Sequence, residues 1–283
     1  MIHSGETLYI SDLDGTLLND KAELSQYTKT ALNRMIAEGL CFTIATARTP
    51  ATACRILEDV EWRLPLVLLN GAVVFDNASE QYVQILPIEP DAVAAIIDVL
   101  KQMQVSGIMY QFKDNIQRSY YETLDHKPIR DFIETRIARY NKSFRQTGSF
   151  SAVAADNNTY FTLLDSYEII VSVRDALASI PGIYRSIYKD NYSDNLWFLE
   201  IHSEKATKKN AVNYLKEAYG FERAVGFGDN LNDLPMFEAC DVKVAVENAF
   251  PEIKAAANQT CGGNNEDGVV RWLEEVSSRS CSP

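Results

Sequence analysis

Apolar positions along this chain follow two rhythms that alternate. Leu8, Tyr9 and Ile10 form a short apolar run of the kind that makes a buried strand. Ser25 then offers an N-cap for a helix whose apolar stripe is Leu32, Met35 and Ile36, and Gly39 can close it. Cys41 to Ala45 reads as a second buried strand, and Thr49-Pro50 opens another helix. Leu66 to Leu69 is a third apolar run, ended by the turn dipeptide Asn70-Gly71 before the alternating stretch Ala72 to Phe75. Strand and helix patterns in this order predict a parallel sheet.

From about Leu86 to Lys189 the texture changes. Pro87 and Pro90 lead into a helix over Asp91 to Met103, followed by β-like runs at Ile108 to Phe112 and Ile116 to Tyr121. A basic helix around Ile129 to Tyr140 and a strand-helix-strand passage from Tyr160 to Tyr188 come next, with many tyrosines. After Asn195 to Ile201 the first style returns: a helix over Thr207 to Tyr219, a buried strand Ala224 to Phe227, a helix around Leu234 to Ala239, a strand Val242 to Val246 and a last helix from Asp267. The expected organisation is an α/β, Rossmann-like doubly wound core from residues 1–85 and 190–283, with an α+β domain of residues 86–189 inserted in it.

Composition narrows the partners. At 283 residues the chain has room for two cores, and 46% hydrophobic with 23% charged residues is ordinary for a globular fold. A formal net charge of -12 argues against broad nucleic-acid or anionic-membrane binding, so an anionic substrate needs a metal or clustered cations. No run approaches the roughly 20 apolar residues of a membrane span, and the first residues lack a signal peptide's basic start, so a cytoplasmic location is expected. The five cysteines, Cys41, Cys54, Cys240, Cys261 and Cys281, show no CxxC spacing and are expected as thiols. His3, His126 and His202 are too dispersed for a histidine metal centre.

Chemistry concentrates where strands end. Asp12 and Asp14 flank Leu13 just past the first apolar run, and Gly15 lets the chain leave sharply. The C-terminal mouth of a parallel sheet is where ligands bind, and an Asp carboxylate there can attack phosphorus while a second one carries a proton. A turn with solvated acids has the same spelling. The strand Ala224 to Phe227 ends in Gly228, Asp229, Asn230, Leu231, Asn232, Asp233, a second acidic cluster at a strand mouth. Asp12 and Asp229 can supply oxygen ligands to magnesium if their strands are neighbours, although an Asx-rich turn or a calcium-like loop also fits this segment. Thr46, at the end of an apolar strand, can offer its hydroxyl and adjacent N–H groups to phosphate, or can be a simple cap. Lys208 opens a helix, where its ammonium can neutralise phosphate and carboxylate or stay solvated.

Taken together these segments resemble the haloacid dehalogenase-like phosphatase superfamily, specifically its Cof-type members with a large type-2 cap inserted after the third core strand. The resemblance spans essentially the whole chain. It is carried by DLDGTLL, FTIATAR, LEIHSEKATKK and GFGDNLND. It implies Asp12 as nucleophile, Asp14 as general acid/base, and Thr46, Ala47, Arg48, Lys208 and Asn232 around the phosphate. It also implies a magnesium ion (Mg2+) held by Asp12, the backbone carbonyl of Asp14 and Asp229, with Asp233 ordering its water shell. Asn70-Gly71 matches a loop near the site. Ala47 stands where the family commonly has glycine, and Lys209 or Lys205 are alternatives to Lys208 because the glycine frequent after the family's lysine is absent. The activity implied is hydrolysis of a small phosphorylated metabolite, with a sugar phosphate as the leading class; a phosphomutase and a noncatalytic phosphometabolite sensor are the alternatives.

Overall fold

The computed structural model describes residues 7–155, 157–190, 193 and 195–280, so His3 and Cys281 lie outside the described residues. In chain order the elements are β1 (Thr7–Ser11), α1 (Gln26–Ala37), β2 (Phe42–Ile44), α2 (Pro50–Ile56), β3 (Leu66–Leu68), β4 (Val73–Asp76), β5 (Gln81–Ile85), α3 (Pro90–Met103), β6 (Ile108–Lys113) and β7 (Ile116–Tyr121). They continue as α4 (Lys127–Tyr140), β8 (Arg145–Gln146), β9 (Asn158–Asp165), α5 (Tyr167–Ala176), β10 (Ile183–Lys189), β11 (Trp197–Ser203) and α6 (Lys208–Tyr219). The chain closes with β12 (Arg223–Gly228), α7 (Leu234–Ala239), β13 (Val242–Val246), α8 (Pro251–Ala256), β14 (Gln259–Cys261) and α9 (Gly268–Ser280). Two compact units result, one from residues up to 80 and from 208 on, the other from 81–207.

In the first unit the strands are parallel in the order β14-β13-β12-β1-β2, and a parallel bridge between Ala45 and Val67 brings β3 alongside β2. The run that follows β1 in sequence builds outward on one side, and β12, β13 and β14 build outward on the other. Strand order therefore reverses at β1, and the crevice at the C-terminal ends of β1 and β12 is the switch point where doubly wound folds bind ligands. Local chemistry supports each element. The Ser25 hydroxyl accepts from Thr28 N at 2.9 Å and caps α1, whose buried face is Thr28, Ala31, Leu32, Met35 and Ile36. β1, β2 and β3 are short and apolar, with Leu8, Ile10, Phe42, Ile44 and Val67 buried. Cys41, Cys54, Cys240 and Cys261 are free thiols. No helix among the described residues is long and apolar enough to cross a membrane.

The second unit is built on a mainly antiparallel sheet in the order β10-β11-β9-β6-β7-β8. Side chains alternate across it. Met109, Phe161, Leu163, Leu199 and Ile201 pack with Ile96, Ile97, Leu100 and Ile170 of α3 and α5 into one apolar core. Tyr110, Tyr160, Thr162, Phe198, Glu200 and His202 occupy the intervening positions and are buried as well. The expected boundary at 189/190 falls before β11, which pairs with both β9 and β10 and so lies inside this sheet. Burial on both faces gives β11 a continuous buried run, from Phe198 to Ser203, that reads in sequence like a parallel core strand.

Glu200 is the buried acid of this sheet. Burial pushes its carboxyl up from 4.5 to about 8, against hydrogen bonds donated by Thr162 Oγ1 (2.7 Å) and Tyr188 OH (3.1 Å). Its folded pKa lies above the unfolded one, so its contribution to stability is complete below about pH 4.5 and is lost as pH rises through about 8. Glu200→Gln is therefore expected to gain on the wild type by about 2–4 kcal/mol between pH 5 and pH 9 in denaturant melts. His202, pushed by burial down to about 4, titrates in both proteins and cancels from the difference. A difference that does not change with pH would remove the buried carboxyl from this role.

Candidate active site

Asp12 is the first residue past β1, and its N–H still donates to Phe227 O of β12 at 2.9 Å. Asp229 is the first residue past β12. Because β1 and β12 are hydrogen-bonded in register, Ser11 beside Phe227, the two carboxylates emerge side by side at the switch point. Beyond them the chain turns: Leu13 O accepts from Leu17 N (3.1 Å) and Leu18 N (2.8 Å), and Gly15 takes φ 81°. Asn248 Nδ2 donates to Gly15 O at 2.7 Å and ties this turn to the loop after β13.

Lys208, the first residue of α6, enters the same place from the other side of the chain. Its Nζ donates to Asp12 Oδ1 at 2.6 Å and Asp233 Oδ1 at 2.7 Å, with the lysine 1% exposed. Lys209 instead pairs with Glu238 at the surface, which singles out Lys208 between these two. Asp233 uses its other oxygen, Oδ2, to accept from Asp229 N (3.0 Å) and Asn230 N (3.1 Å). This is a side-chain cap on the tight turn that opens the 3-10 segment Leu231–Asp233. Thr16 Oγ1 donates to Asp229 Oδ1 at 2.6 Å.

Oxygens of Asp12, Asp229 and Asp233 lie within 4.8 Å of one another, all buried. Burial pushes the Asp12 carboxyl up to about 7, in spite of the opposing Lys208 charge, with Asp233 and Asp14 adding to the rise. Asp229 is raised well above the usual carboxylate range, first by burial and then by Asp12 and Asp233. For Lys208 burial acts downward, yet the Asp12 and Asp233 carboxylates reverse it and the ammonium is held charged. One ammonium does not balance three buried carboxylates. Such a site favours a cation, and its all-oxygen donor set suits a hard divalent one. Of the three, Asp233 is the most occupied, since Lys208 takes one of its oxygens and two N–H groups take the other, so Asp12 and Asp229 would be the better placed to hold a cation.

The remaining expected residues arrive on β2, β3 and their loops. Thr46 N donates to Val67 O (3.0 Å), its carbonyl accepts from Asn70 N (2.9 Å), and its hydroxyl accepts from Arg48 N (3.1 Å). The helix after it begins only at Pro50, so the N–H groups nearest Thr46 belong to the loop. Ala47 does not take a positive φ, so a glycine's freedom is not required there. Arg48 grips Asp14: Nε lies 2.7 Å from Asp14 Oδ2 and Nη2 2.5 Å from Oδ1. Asn232 Nδ2 donates to Asn70 Oδ1 at 3.3 Å, which joins the last motif to the Asn70-Gly71 loop. Leu69 and Asn70 both take left-handed φ, 50° and 53°, a strained pair of the sort retained beside functional sites. Sequence reasoning gave no role to Thr16 or Asn248. Thr16 sits within the first motif, but Asn248 follows an ordinary strand and carries no local signal.

A family model described as haloacid dehalogenase-like hydrolase matches residues 9–273. A 5-amino-6-(5-phospho-D-ribitylamino)uracil phosphatase of Bacillus subtilis is 27% identical over 274 residues, covering 94% of this chain and 96% of the relative. A pyridoxal phosphate phosphatase of Escherichia coli is 24% identical over 266 residues, covering 93% and 95%. The crystal structure of a haloacid dehalogenase-like hydrolase from Bacteroides thetaiotaomicron superposes with a TM-score of 0.78 at 21% identity, over 95% of this chain and 99% of that one, a likeness of fold.

Gly228 gives a direct test of the packing behind Asp233. A Cβ at Gly228 would fall 2.7 Å from Asp233 Cβ and 2.8 Å from its Cγ. Gly228→Ala is expected to cost about 1–3 kcal/mol in denaturant melts. In an Asp233→Gly background the same change should cost clearly less, because both the Cβ and the carboxyl that the new methyl would meet are gone. Equal costs in the two backgrounds would mean that Asp233 does not press on this glycine.

Proposed function

The chain belongs to the haloacid dehalogenase-like hydrolase family, and on that premise we propose that it is a magnesium-dependent phosphatase acting on a small phosphomonoester of the sugar-phosphate class through an aspartyl-phosphate intermediate. The observation that carries this reading is the buried Lys208 ammonium between Asp12 and Asp233, beside a third carboxylate, Asp229, at the sheet's switch point. The named relatives are phosphatases of a phosphoribitylamino compound and of pyridoxal phosphate, which supports a small phosphomonoester as the substrate. The second unit, residues 81–207, is the proposed determinant of which ester is accepted.

Asp12, Asp229 and the backbone carbonyl of Asp14 would hold Mg2+, which when bound offsets the charge of the phosphoryl oxygens. Lys208 keeps Asp12 aimed and lowers its repulsion toward an incoming dianion. A carboxylate oxygen of Asp12 attacks phosphorus. The ester P–O bond breaks, its electron pair goes to the leaving oxygen, and Asp14 supplies that oxygen's proton. In the second half Asp14 takes a proton from water, the water oxygen bonds to phosphorus, and the bond from phosphorus to Asp12 breaks. Thr46 and Asn232 are the proposed partners of the phosphoryl oxygens. Phosphate monoesters hydrolyse among the slowest of uncatalysed reactions, with accelerations reaching on the order of 10^21, so positioning and charge must supply most of the effect.

A screen of phosphorylated metabolites for released inorganic phosphate, with and without magnesium and without added bisphosphate, tests the reading. Wild-type protein should release phosphate only with magnesium, and acid quenching should recover phosphoprotein. Asp12→Asn should abolish both signals. Magnesium at about 100 times its Kd should also stabilise the wild type by about 2.7 kcal/mol, and Asp229→Asn should lose that gain. Metal-dependent turnover surviving in Asp12→Asn would refute the nucleophile. Ligand binding without phosphate release would make the protein a sensor.

A further inference from the structure

Asp14 and Arg48 form a planar fork at one side of the site. Arg48 Nε and Nη2 lie 2.7 and 2.5 Å from the two oxygens of the Asp14 carboxylate, and the arginine side chain is 10% exposed. Both partners are anchored from behind. The turn that carries Asp14 is tied through Gly15 O to Asn248. Arg48 N donates to Thr46 Oγ1 at 3.1 Å, and Arg48 O accepts from Leu69 N, in its left-handed conformation, at 3.1 Å. A bidentate guanidinium fixes a carboxylate in plane and direction, which a single point charge does not.

Resting on the phosphatase reading above, we infer that Arg48 is a positioning residue: it acts through Asp14, by aiming the proton-carrying carboxyl, and is not a ligand of the transferred phosphate. This departs from the sequence-based expectation that grouped Arg48 with the phosphate-binding residues. Asp14 must serve twice in one fixed direction. In the first half-reaction its O–H bond breaks and the proton goes to the ester oxygen, which has taken the electron pair of the P–O bond. In the second it receives a proton from the water whose oxygen displaces Asp12 from phosphorus. A carboxyl free to rotate past the Gly15 turn would meet neither oxygen reliably, and misplacement by about 1 Å can cost on the order of 100-fold.

The two roles separate by leaving group. An alkyl phosphate expels a strongly basic alkoxide and needs Asp14's proton in the first step. p-Nitrophenyl phosphate expels a weakly basic phenolate and does not, whereas the attack of water on the phosphoenzyme is common to both. Arg48→Gln should therefore lose about tenfold or more in kcat/KM on the best alkyl phosphate found by the screen, and keep kcat/KM on p-nitrophenyl phosphate within about threefold. With p-nitrophenyl phosphate its kcat should fall, and phosphoprotein should accumulate on acid quenching. Arg48→Lys should behave like Arg48→Gln, because an ammonium preserves the charge but not the fork. In an Asp14→Asn background Arg48→Gln should add little, since the group it aims is gone.

A uniform rise of KM on both substrates, restored in Arg48→Lys and additive with Asp14→Asn, would overturn the inference and make Arg48 a phosphate ligand. Unchanged kinetics in Arg48→Gln would overturn it as well. Thermal melts of the variants confirm that folded enzyme is compared; if Arg48→Gln does not fold, Arg48→Lys carries the same discrimination. Failure of the phosphatase reading looks different, because the wild type itself would then give neither phosphate nor phosphoprotein.

Discussion

The ammonium of Lys208 between Asp12 and Asp233, at 2.6 and 2.7 Å, draws together segments 196 and 25 residues from it in sequence. Burying an ion costs several kcal/mol after relaxation, and here three carboxylates and an amine share one interior position. The arrangement holds only because each charge is engaged. Lys208 joins β1's end to the turn after β12, and Asp233 holds the Asp229 and Asn230 N–H groups with its remaining oxygen. The same contact sets the electrostatics: Lys208 stays charged, while burial and their neighbours hold the Asp12 and Asp229 carboxyls above the usual range, and a divalent cation would stabilise their ionised forms.

The fold serves this contact through topology. β1 lies between β12 and β2, so one carboxylate on β1's end and another on β12's end are neighbours although 217 positions separate Asp12 from Asp229. Parallel strands cannot be joined by a tight hairpin and need long crossovers. Here one of those excursions contains a complete second unit. That unit has its own apolar core between the six-stranded sheet and helices α3 and α5. The insertion leaves β1 and β12 in register with each other.

Much of this was legible in the chain. The first unit's elements were readable because each pairs a short apolar run with a turn or capping signal, as Ser25 and Gly39 do around α1. The core motifs were readable because Asp12, Asp14, Lys208 and Asp229 lie at element ends, where polar residues interrupt apolar runs. Other features leave no local trace. β11 places Phe198, Glu200 and His202 in buried positions opposite its apolar face, so its pattern does not tell a second sheet from the first. The tie from Asn248 to Gly15 spans 233 residues and rests on one side-chain amide. The Arg48 partner was obscured for a different reason: an arginine beside a threonine expected at the phosphate suggests the anion, and only geometry reveals the carboxylate it grips.

Asp12 and Asp14 are the same side chain two positions apart, and they stand in different surroundings. On a continuing strand both would point the same way. The turn at Gly15 separates them, and each is met by a cation from its own part of the chain, Lys208 from 196 residues away and Arg48 from 34. Asp12 is 4% exposed, and no described residue donates to its second oxygen. Asp14 is partly exposed, with the guanidinium lying across both of its oxygens. A nucleophile needs one bare oxygen held at a fixed point in a dry site, and a proton carrier needs a defined direction with access to the leaving group and to water. On the proposed mechanism, pairing a point charge with the first and a planar fork with the second would meet both needs, and this division of environment would let a single DxD spacing carry two chemical roles.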